Sequence, residues 1–506
     1  MYFQKYSFQF CILLQNIVIY NTNMSECECE CECECECTYD IPNIDEPSEL
    51  YEYIHSKLKP NIETKTRYGE VFTPLSIVDE MLTNLDDAYK KEHTISIFSN
   101  KMFKWFDPAL GIGNFLIVLY YKLMDGLKLI IINNEERKKH ILENMLYSSE
   151  LLASNILVYK KIFNFNKYNL NIHQGDTLKI DITKTFGIKG FDVVLGNPPY
   201  NIDGIKHKGQ KNIYVFFDVM ALNSWIKPNG YLLFIHPPVY RIPNHKIQHT
   251  KINLNQVITQ KKIETIKMYS ISAIYKLMNV MINADVIIIK NTNNDLLSKT
   301  KIIDMNGDCY YKSIKPNDFI VNFGLNIMEK IKNKCANGTV NLLLNSEMHA
   351  QQIILDESNL SLYKNIHGIT KKGIKIVMSN KKHTYYDSPK LIINGIGSYN
   401  YVFYDKKGEY GITQSPLAII NPDVNTIKLI QSPLFHYISN STKVIGNNFN
   451  IKTAMFLPLI HSSFTIESDS DLYKIFDFNE EEIKLINNYS IPRYKAQELL
   501  KEQVKD

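Results

Sequence analysis

The chain has 506 residues, 45% of them hydrophobic, and its formal net charge is only +4. This length is too great for one small hydrophobic core and predicts two or three domains. The hydrophobic fraction indicates a globular protein and excludes a wholly disordered one.

Residues 1–60 are interpreted as a variable N-terminal arm. The arm contains the repeat ECECECECECEC from Glu26 to Cys37, which holds six of the nine cysteines. Its two-residue alternation does not match the spacing of structural zinc ligands, so we predict a low-complexity segment and no metal site. The few remaining cysteines argue against a disulfide-stapled secreted fold.

The first 21 residues are apolar but are interrupted by Gln9 and Gln15. They are too short and too mixed for a membrane span, and they lack the features of a signal peptide. We therefore expect a cytoplasmic protein without a membrane anchor. Because the glutamates of the repeat offset basic residues elsewhere, the rest of the chain is moderately basic, which permits an anionic partner.

Between residues 61 and 295, segments with strand character alternate with segments with helix character. This order is typical of an α/β fold with a parallel, doubly wound sheet. The first long helix is predicted to follow GEVFTP, because apolar residues recur at helical spacing from Leu75 to Leu82. Thr73 is the expected N-cap of this helix and Pro74 its first-turn residue.

The segment DPALGIGNF, from Asp107 to Phe115, predicts a strand, a glycine-bearing turn and a helix that begins at Asn114. Such a turn lets the backbone approach a ligand, but alone it equally describes a tight loop. Two later strand units end in carboxylates, at Glu150 and Asp176. Carboxylates at these places can bind the ribose and the base of a nucleoside. Glu135 is the alternative to Glu150.

The strand FDVVLG leads directly into NPPY, residues 197–200. The Asn197 side chain and the Pro198 backbone each offer a carbonyl oxygen, and the two prolines hold the backbone rigid without competing N–H donors. Two fixed acceptors suit a planar NH₂ group, and Tyr200 offers an aromatic face for a flat ring. An adenine amino group and a glutamine amide both satisfy this pattern.

The order of these motifs resembles that of the gamma-class N6-adenine DNA methyltransferases of restriction–modification systems. The resemblance is strong over residues 64–292 and looser in the C-terminal half, and the shared segments are GEVFTP, DPALGIGNF, SSE, GD, GNPPY, NIYVFF and GYLLFIHPP. It implies a Rossmann-like methyltransferase domain over residues 61–295. It also implies an α+β target-recognition domain over residues 296–506.

The resemblance implies S-adenosylmethionine as the methyl donor. Eight residues are carried over as donor-binding, with Glu150 on the ribose and Asp176 and Phe217 on the adenine: Thr73, Asp107, Ala109, Gly111, Gly113, Glu150, Asp176 and Phe217.

The resemblance also implies that the target adenine is flipped out of double-stranded DNA. Asn197, Pro198, Pro199 and Tyr200 are the expected catalytic residues. Tyr275 is our candidate for the second face of the flipped base. Lys206 and Lys208, in the loop after the motif, are candidate phosphate contacts, although a merely solvated loop explains them equally well.

Three features depart from the family pattern: the bulky Leu110 and Ile112 in the donor loop, Ser149 before the ribose acid, and the separation of 43 residues between Asp107 and Glu150, which leaves Glu135 as the alternative acid. The rival functions are a protein glutamine or RNA adenine methyltransferase and a degenerate fold that only binds DNA. GEVFTP and the long C-terminal half favour DNA methylation. We expect a monomer, and any cognate restriction endonuclease is expected to be a separate chain.

Overall fold

The computed structural model describes residues 41–56, 71–164, 167–200, 212–245, 252–295, 297–344, 363–370, 372–395, 397, 401–446, 449 and 451–488. The described chain divides into two compact units. The first unit runs to Ile303 and includes Cys309–Asp318. The second consists of Asp304–Asp308 and the chain from Phe319 onward.

The first unit is built on a nine-stranded sheet with the strand order β3-β2-β1-β4-β5-β7-β6-β8-β9. Its strands are β1 (Trp105–Asp107), β2 (Leu146–Glu150), β3 (Asn171–Gln174), β4 (Phe191–Gly196), β5 (Ile226–His236), β6 (Lys261–Tyr269), β7 (Ala284–Asn293), β8 (Thr300–Ile303) and β9 (Cys309–Lys312).

Strands β1 to β5 pair in parallel, as the alternation of strands and helices predicts. Strand β7 lies antiparallel between β5 and β6, so the sheet as a whole is mixed rather than parallel throughout. Residues 270–283 are enough to join β6 to its neighbour β7, because an antiparallel pair needs no long crossover.

Nine helices of the first unit lie within its described residues: α1 (Pro47–Ser56), α2 (Leu75–Lys90), α3 (Asn114–Gly126), α4 (Asn134–His140), α5 (Ala153–Ile162), α6 (Ile182–Phe186), α7 (Tyr214–Met220), α8 (Leu254–Thr259) and α9 (Ile271–Met278). Helix α2 buries the predicted apolar stripe, including Val78 and Leu82. Helix α3 is buried over most of its surface and packs in the same core as β4.

The predicted cap of α2 is wrong. The helix begins at Leu75 with Pro74 at the N-cap position, and no side chain caps it. The Pro74 carbonyl accepts from the backbone N–H groups of Ile77 and Val78 instead. The Thr73 side chain is therefore available for another contact.

The second unit combines helices with two small sheets, as expected for an α+β domain. One sheet has the order β10-β16-β13-β14 and the other the order β12-β11-β15. The strands are β10 (Leu343–Leu344), β11 (Tyr363–Thr370), β12 (Gly373–Ser379), β13 (Lys390–Ile393), β14 (Val402–Asp405), β15 (Gly411–Ile412) and β16 (Leu417–Ile420). The helices are α10 (Leu325–Lys334), α11 (Val424–Ile430), α12 (Pro433–Thr442), α13 (Asp469–Ile475) and α14 (Glu480–Asn488).

The first unit extends past residue 295, where the sequence places the end of the catalytic domain. Strand β8 pairs in parallel with β6, and β9 pairs with β8, so both belong to the large sheet. Within the described part of the chain, no helix is both long and apolar enough to cross a membrane.

Candidate active site

One cavity of the first unit lies where the strand order reverses. Strands β2 and β3 follow β1 to one side, whereas β4 and β5 lie on the other. Ligands of open α/β sheets bind at the carboxyl ends of the strands at such a reversal. The cavity encloses about 460 Å³ and is lined by residues 71–73, 108–112, 114, 115, 150–152, 155, 175–179, 197, 199, 213 and 217.

The turn between β1 and α3 forms one wall of this cavity. Gly113 is the N-cap of α3 and has a φ of 97°. A Cβ atom there would lie 2.4 Å from Cδ2 of the Tyr159 ring on α5. Gly113 therefore allows both the left-handed backbone and the close packing of α5. It does not line the cavity itself, whereas Ala109 and Gly111 do.

Asp107 lies beneath the turn rather than in the cavity wall. Its side chain is fully buried, Oδ1 accepts from the Ala109 N–H (3.1 Å), and Oδ2 has no hydrogen-bond partner. Burial raises the pKa of Asp107 to about 8, and the Glu150 charge adds to the rise. A protonated Asp107 is thus a buried support for the turn.

Glu150 occupies the end of β2 and lines the cavity. The Gly111 N–H donates to its Oε2 (2.7 Å), and the Leu152 N–H donates to its Oε1 (2.8 Å). Glu135, the alternative ribose acid, lies on α4 and pairs with Lys167 at 2.8 Å on the surface. It is absent from the cavity lining, so the structure places Glu150 alone of these two acids at the cavity.

Ser149, which departs from the family pattern, joins three strand ends. The Thr177 hydroxyl donates to the Pro108 carbonyl (2.8 Å), and Ser149 Oγ lies 2.7 Å from Thr177 Oγ1 and 3.0 Å from His173 Nδ1. Since the Thr177 hydrogen is already used, Ser149 donates to Thr177, and His173 Nδ1–H donates to Ser149. These hydrogen bonds therefore link Ser149 of β2 to β3 and to the loops that follow β1 and β3.

Asp176 and Phe217 are far apart in sequence, and both line the cavity. Asp176 follows β3 and is partly exposed, with Oδ1 accepting from the Leu178 N–H and Oδ2 paired with Lys179 at 3.0 Å. Phe217 lies on α7 and is buried. Leu110 and Ile112 are also buried and line the cavity. Their bulky side chains form part of the cavity wall and do not fill the cavity.

Asn197 follows β4 and presents one unpaired acceptor beside the cavity. Its Nδ2 donates to the Val71 carbonyl (3.1 Å) and to Thr73 Oγ1 (3.2 Å). The Val71 carbonyl can only accept, which assigns nitrogen to that position and oxygen to the other. Asn197 Oδ1 is buried and has no hydrogen-bond partner.

Asn114 is a cavity residue that the sequence interpretation missed. Its Nδ2 donates to the Thr73 carbonyl (2.8 Å), while its buried Oδ1 has no partner. Its only sequence signal is a polar side chain directly after Gly113, at the start of an otherwise apolar helix. Residues 71–73 thus accept hydrogen bonds from Asn114 and Asn197, which follow two different strands. No local sequence pattern reveals this contact.

Tyr200 is buried and does not line the cavity. Burial raises the pKa of its hydroxyl, and the neighbouring Asn197 amide partly offsets the rise. Pro199 lines the cavity, whereas Pro198 does not. The stacking of Tyr200 on a base therefore stays a prediction.

Helix α7 contacts NPPY near its start and lines the cavity through Phe217. The Ile213 N–H donates to the Tyr200 carbonyl (3.3 Å), and the Tyr214 ring lies edge-on to Tyr200 with centroids 6.3 Å apart. On its other side Tyr214 stacks on His236 of β5. His236 Nε2 lies 3.3 Å from Oδ1 of the fully buried Asp218, also on α7.

The charge of His236 depends on this aspartate. Burial lowers the pKa of His236, but the Asp218 carboxylate, the Pro237 carbonyl and the Asp285 charge together outweigh burial, and the net pKa lies above the ordinary value. His236 Nδ1 is 2.9 Å from the Pro237 carbonyl, which requires an N–H at Nδ1. A buried ion pair thus braces α7 against β5.

The structure does not bring Tyr275 to the cavity. Tyr275 lies on α9, is half exposed and does not line the cavity. Lys206 and Lys208 fall in residues 201–211, outside the described residues.

Comparison with known proteins agrees with this architecture. Residues 43–229 match the model of the family described as N-6 DNA Methylase. A protein of Mycoplasma pneumoniae named "Uncharacterized adenine-specific methylase" is 24% identical over 248 residues. The match covers 35% of this chain and 57% of that protein, so it spans little more than half of the relative's length.

The fold is similar to that of the Type IIL restriction-modification enzyme MmeI, whose structure was solved in complex with DNA. The two share 11% identity with a TM-score of 0.53, over 90% of this chain and 78% of that chain. At this identity the likeness concerns the fold alone. It confirms the predicted α/β architecture.

Proposed function

We propose that the protein methylates N6 of adenine in double-stranded DNA, with S-adenosylmethionine as donor, because residues 43–229 match the model of the family described as N-6 DNA Methylase. The observation that carries the proposal is the Asn197 carboxamide. Its nitrogen is held by two acceptors, so its unpaired Oδ1 is oriented to accept from an amino group.

The polar groups of the cavity fit the donor. Glu150 would accept from the ribose hydroxyls, Asp176 from the adenine amino group, and Phe217 would pack against the adenine ring. The buried, unpaired Oδ1 of Asn114 would accept from the donor's ammonium group. These four residues all line the same cavity of about 460 Å³.

Bound S-adenosylmethionine supplies a methyl group on a positively charged sulfur. Asn197 Oδ1, with the Pro198 carbonyl proposed beside it, would accept the two hydrogens of the target NH₂ group. These hydrogen bonds place electron density on N6 and orient its lone pair toward the methyl carbon. Tyr200 would stack on the flipped base, which requires its ring to leave the buried position described above.

Residues 296–506 are proposed to select the DNA target. Most of them form the second unit, whose α+β composition suits this role. We further propose that the protein acts as a monomer in the cytoplasm. A cognate restriction endonuclease, where one exists, would be a separate chain.

The experiment compares three acceptors with labelled S-adenosylmethionine: unmethylated duplex DNA, total RNA, and glutamine-containing release-factor peptides. We expect label only in DNA, at N6 of adenine. Asn197→Ala is expected to lower methyl transfer by about 100-fold or more while donor binding by calorimetry changes little. Asn144→Ala, on the same unit but away from the cavity, is the matched control.

The outcomes separate the rival functions. Label in RNA or peptide, with none in DNA, would show that RNA or protein is the substrate instead of DNA. An absence of donor binding would leave only a DNA-binding role. Single-molecule sequencing of DNA from cells that express the protein then gives the methylated site.

A further inference from the structure

The second unit carries a two-stranded ribbon with an unusual charge. We call residues 363–382 the basic ribbon, which comprises β11, β12, the two residues between these strands and the three residues after β12. Its sequence YKNIHGITKKGIKIVMSNKK contains six lysines and no aspartate or glutamate. The whole chain is nearly balanced in charge, so this stretch is a strong local excess of positive charge.

The ribbon is anchored through β11, and β12 is the edge strand of its three-stranded sheet. Strands β11 and β12 pair antiparallel from Tyr363–Ser379 to Thr370–Gly373, and β15 pairs with β11. Ile366 and Ile369 are buried in a small core with residues of β13, β15 and β16. Strand β12 has no neighbour other than β11 among the described strands.

Three exposed lysines of the ribbon make no salt bridge to any residue that the structure describes. They are Lys364 on β11, Lys375 on β12 and Lys381 after β12. Lys382 differs, because it pairs with Asp387. Three unpaired ammonium groups on one narrow element favour a polyanionic partner.

A β-bulge places one neutral polar side chain among these charges. The register of β11 and β12 shifts between Ile366 and Gly368, so His367 is the extra residue. Bulges re-aim side chains and often occur at functional sites. His367 Nδ1 lies 2.8 Å from the hydroxyl of the buried Thr413, which orients the ring and leaves Nε2 for another partner.

His367 also stays neutral near physiological pH. Burial lowers its pKa, and the nearby Lys375 lowers it further. A neutral imidazole with Nδ1 engaged offers a single defined donor or acceptor at Nε2.

We propose that the basic ribbon docks on double-stranded DNA, with Lys364, Lys375 and Lys381 on phosphates and His367 Nε2 on a base edge in the major groove. This inference rests on the proposed function and adds the element that reads the target. The major groove admits a two-stranded antiparallel ribbon, and its base edges present donors and acceptors to a single polar group. The exposed side chains described in the ribbon are mostly lysines and form no broad apolar surface, which favours DNA over a membrane.

The first test measures DNA affinity of the full chain by fluorescence anisotropy at several salt concentrations. The triple variant Lys364→Gln, Lys375→Gln and Lys381→Gln removes the three phosphate contacts. We expect about tenfold weaker binding or more, and a slope of log K against log salt that is smaller by about three. The control removes the same charge from helices of the second unit, through Lys428→Gln, Lys474→Gln and Lys484→Gln.

The second test asks whether His367 reads sequence. His367→Ala is expected to keep donor binding and non-specific DNA binding, and to relax the methylated site at one position in single-molecule sequencing. His140→Ala, at a half-buried histidine of the first unit, is the control and should leave the site unchanged.

The two proposals fail differently. If the wild type methylates DNA but the ribbon and control triple variants bind it equally well, the ribbon proposal is overturned and the methyltransferase proposal stands. If DNA binding depends on the ribbon but no adenine is methylated, the ribbon stands and the activity does not. If His367→Ala leaves the methylated site unchanged, His367 does not read a base. If the ribbon lysines contribute equally to the binding of RNA or of anionic vesicles, the assignment of DNA as the partner is overturned.

Discussion

Asn197 illustrates how the chemistry of one side chain depends on residues far away in sequence. The motif NPPY predicts that its carbonyl oxygen is offered to a ligand, but a free asparagine can turn either end outward. The Val71 carbonyl and Thr73 Oγ1 remove this choice, because they hold Nδ2. The contact also explains why Thr73 does not cap α2.

Asp107 gives a pH prediction whose sign follows from its burial. Its folded pKa of about 8 exceeds the ordinary value, so the folded state holds a proton that the unfolded state has lost. We expect the free energy of unfolding to fall as pH rises from about 4 to about 8, by up to about 1.4 kcal/mol per pH unit.

Urea unfolding at several pH values between 5 and 8 measures this dependence, and Asp107→Asn should flatten it. Asp181→Asn is the control, since the pKa of that helix cap is lowered and its contribution is lost only in acid. An unchanged slope in Asp107→Asn would contradict the assignment of the proton to Asp107.

The buried pair of His236 and Asp218 gives a second prediction. Either Asp218→Leu or His236→Phe leaves one charge buried without its partner and should lower the free energy of unfolding by about 3–5 kcal/mol. The double variant replaces the pair with apolar groups and should cost much less than the sum of the two. Asp285, Arg241 and Tyr240 remain nearby in all three variants.

Denaturant unfolding of the three variants at neutral pH tests the coupling. Strictly additive losses would mean that the two side chains do not interact. Since α7 also carries Phe217, the single variants should in addition weaken donor binding.

The turn between β1 and α3 is an element whose form depends on one glycine. Gly113→Ala would add a Cβ atom against Tyr159 in a left-handed backbone, so we expect both lower stability and weaker donor binding. Gly187→Ala is the matched control, because Gly187 also has a positive φ, 70°, but has nothing within 4 Å of its added Cβ.

The control variant should cost only the backbone strain of about 1–2 kcal/mol and leave donor affinity unchanged. Calorimetric titration with S-adenosylmethionine, together with thermal unfolding, distinguishes the two effects. Equal behaviour of both variants would show that packing against Tyr159 does not matter.

The two compact units make a prediction about the whole chain. All residues that line the cavity at the carboxyl ends of the strands belong to the first unit. S-adenosylmethionine at 100 times its dissociation constant should stabilise the first unit by about 2.7 kcal/mol. Amides that exchange only when the first unit unfolds should then exchange about 100-fold more slowly. Amides of β1 and β4 should therefore slow, whereas those of β13 and β16 should not.

Mass-spectrometric hydrogen exchange on the intact protein measures both sets of amides at once. A similar slowing in the two sets would mean that the units unfold together as one cooperative body. Addition of DNA without donor should instead protect the basic ribbon.

Much of the architecture follows from local pattern. The β-branched run before NPPY, the glycine turn after β1 and the carboxylate after β2 all lie in the predicted elements, because strand burial, turn geometry and helix starts depend on neighbouring residues. The mixed sheet and the extension to β9 did not follow, since they depend on which strands pair, and pairing joins segments far apart in sequence.

The chain's residue order therefore determined the strand-and-helix succession, the acids at the strand ends and the motif for an amino group, because these are properties of short segments. Only the tertiary structure placed Glu150 and not Glu135 in the cavity wall, placed Asp107 beneath the turn, and brought Val71 and Thr73 to Asn197. Burial, pKa and hydrogen-bond partnership arise from distances between remote segments, and those distances exist only once the chain has folded.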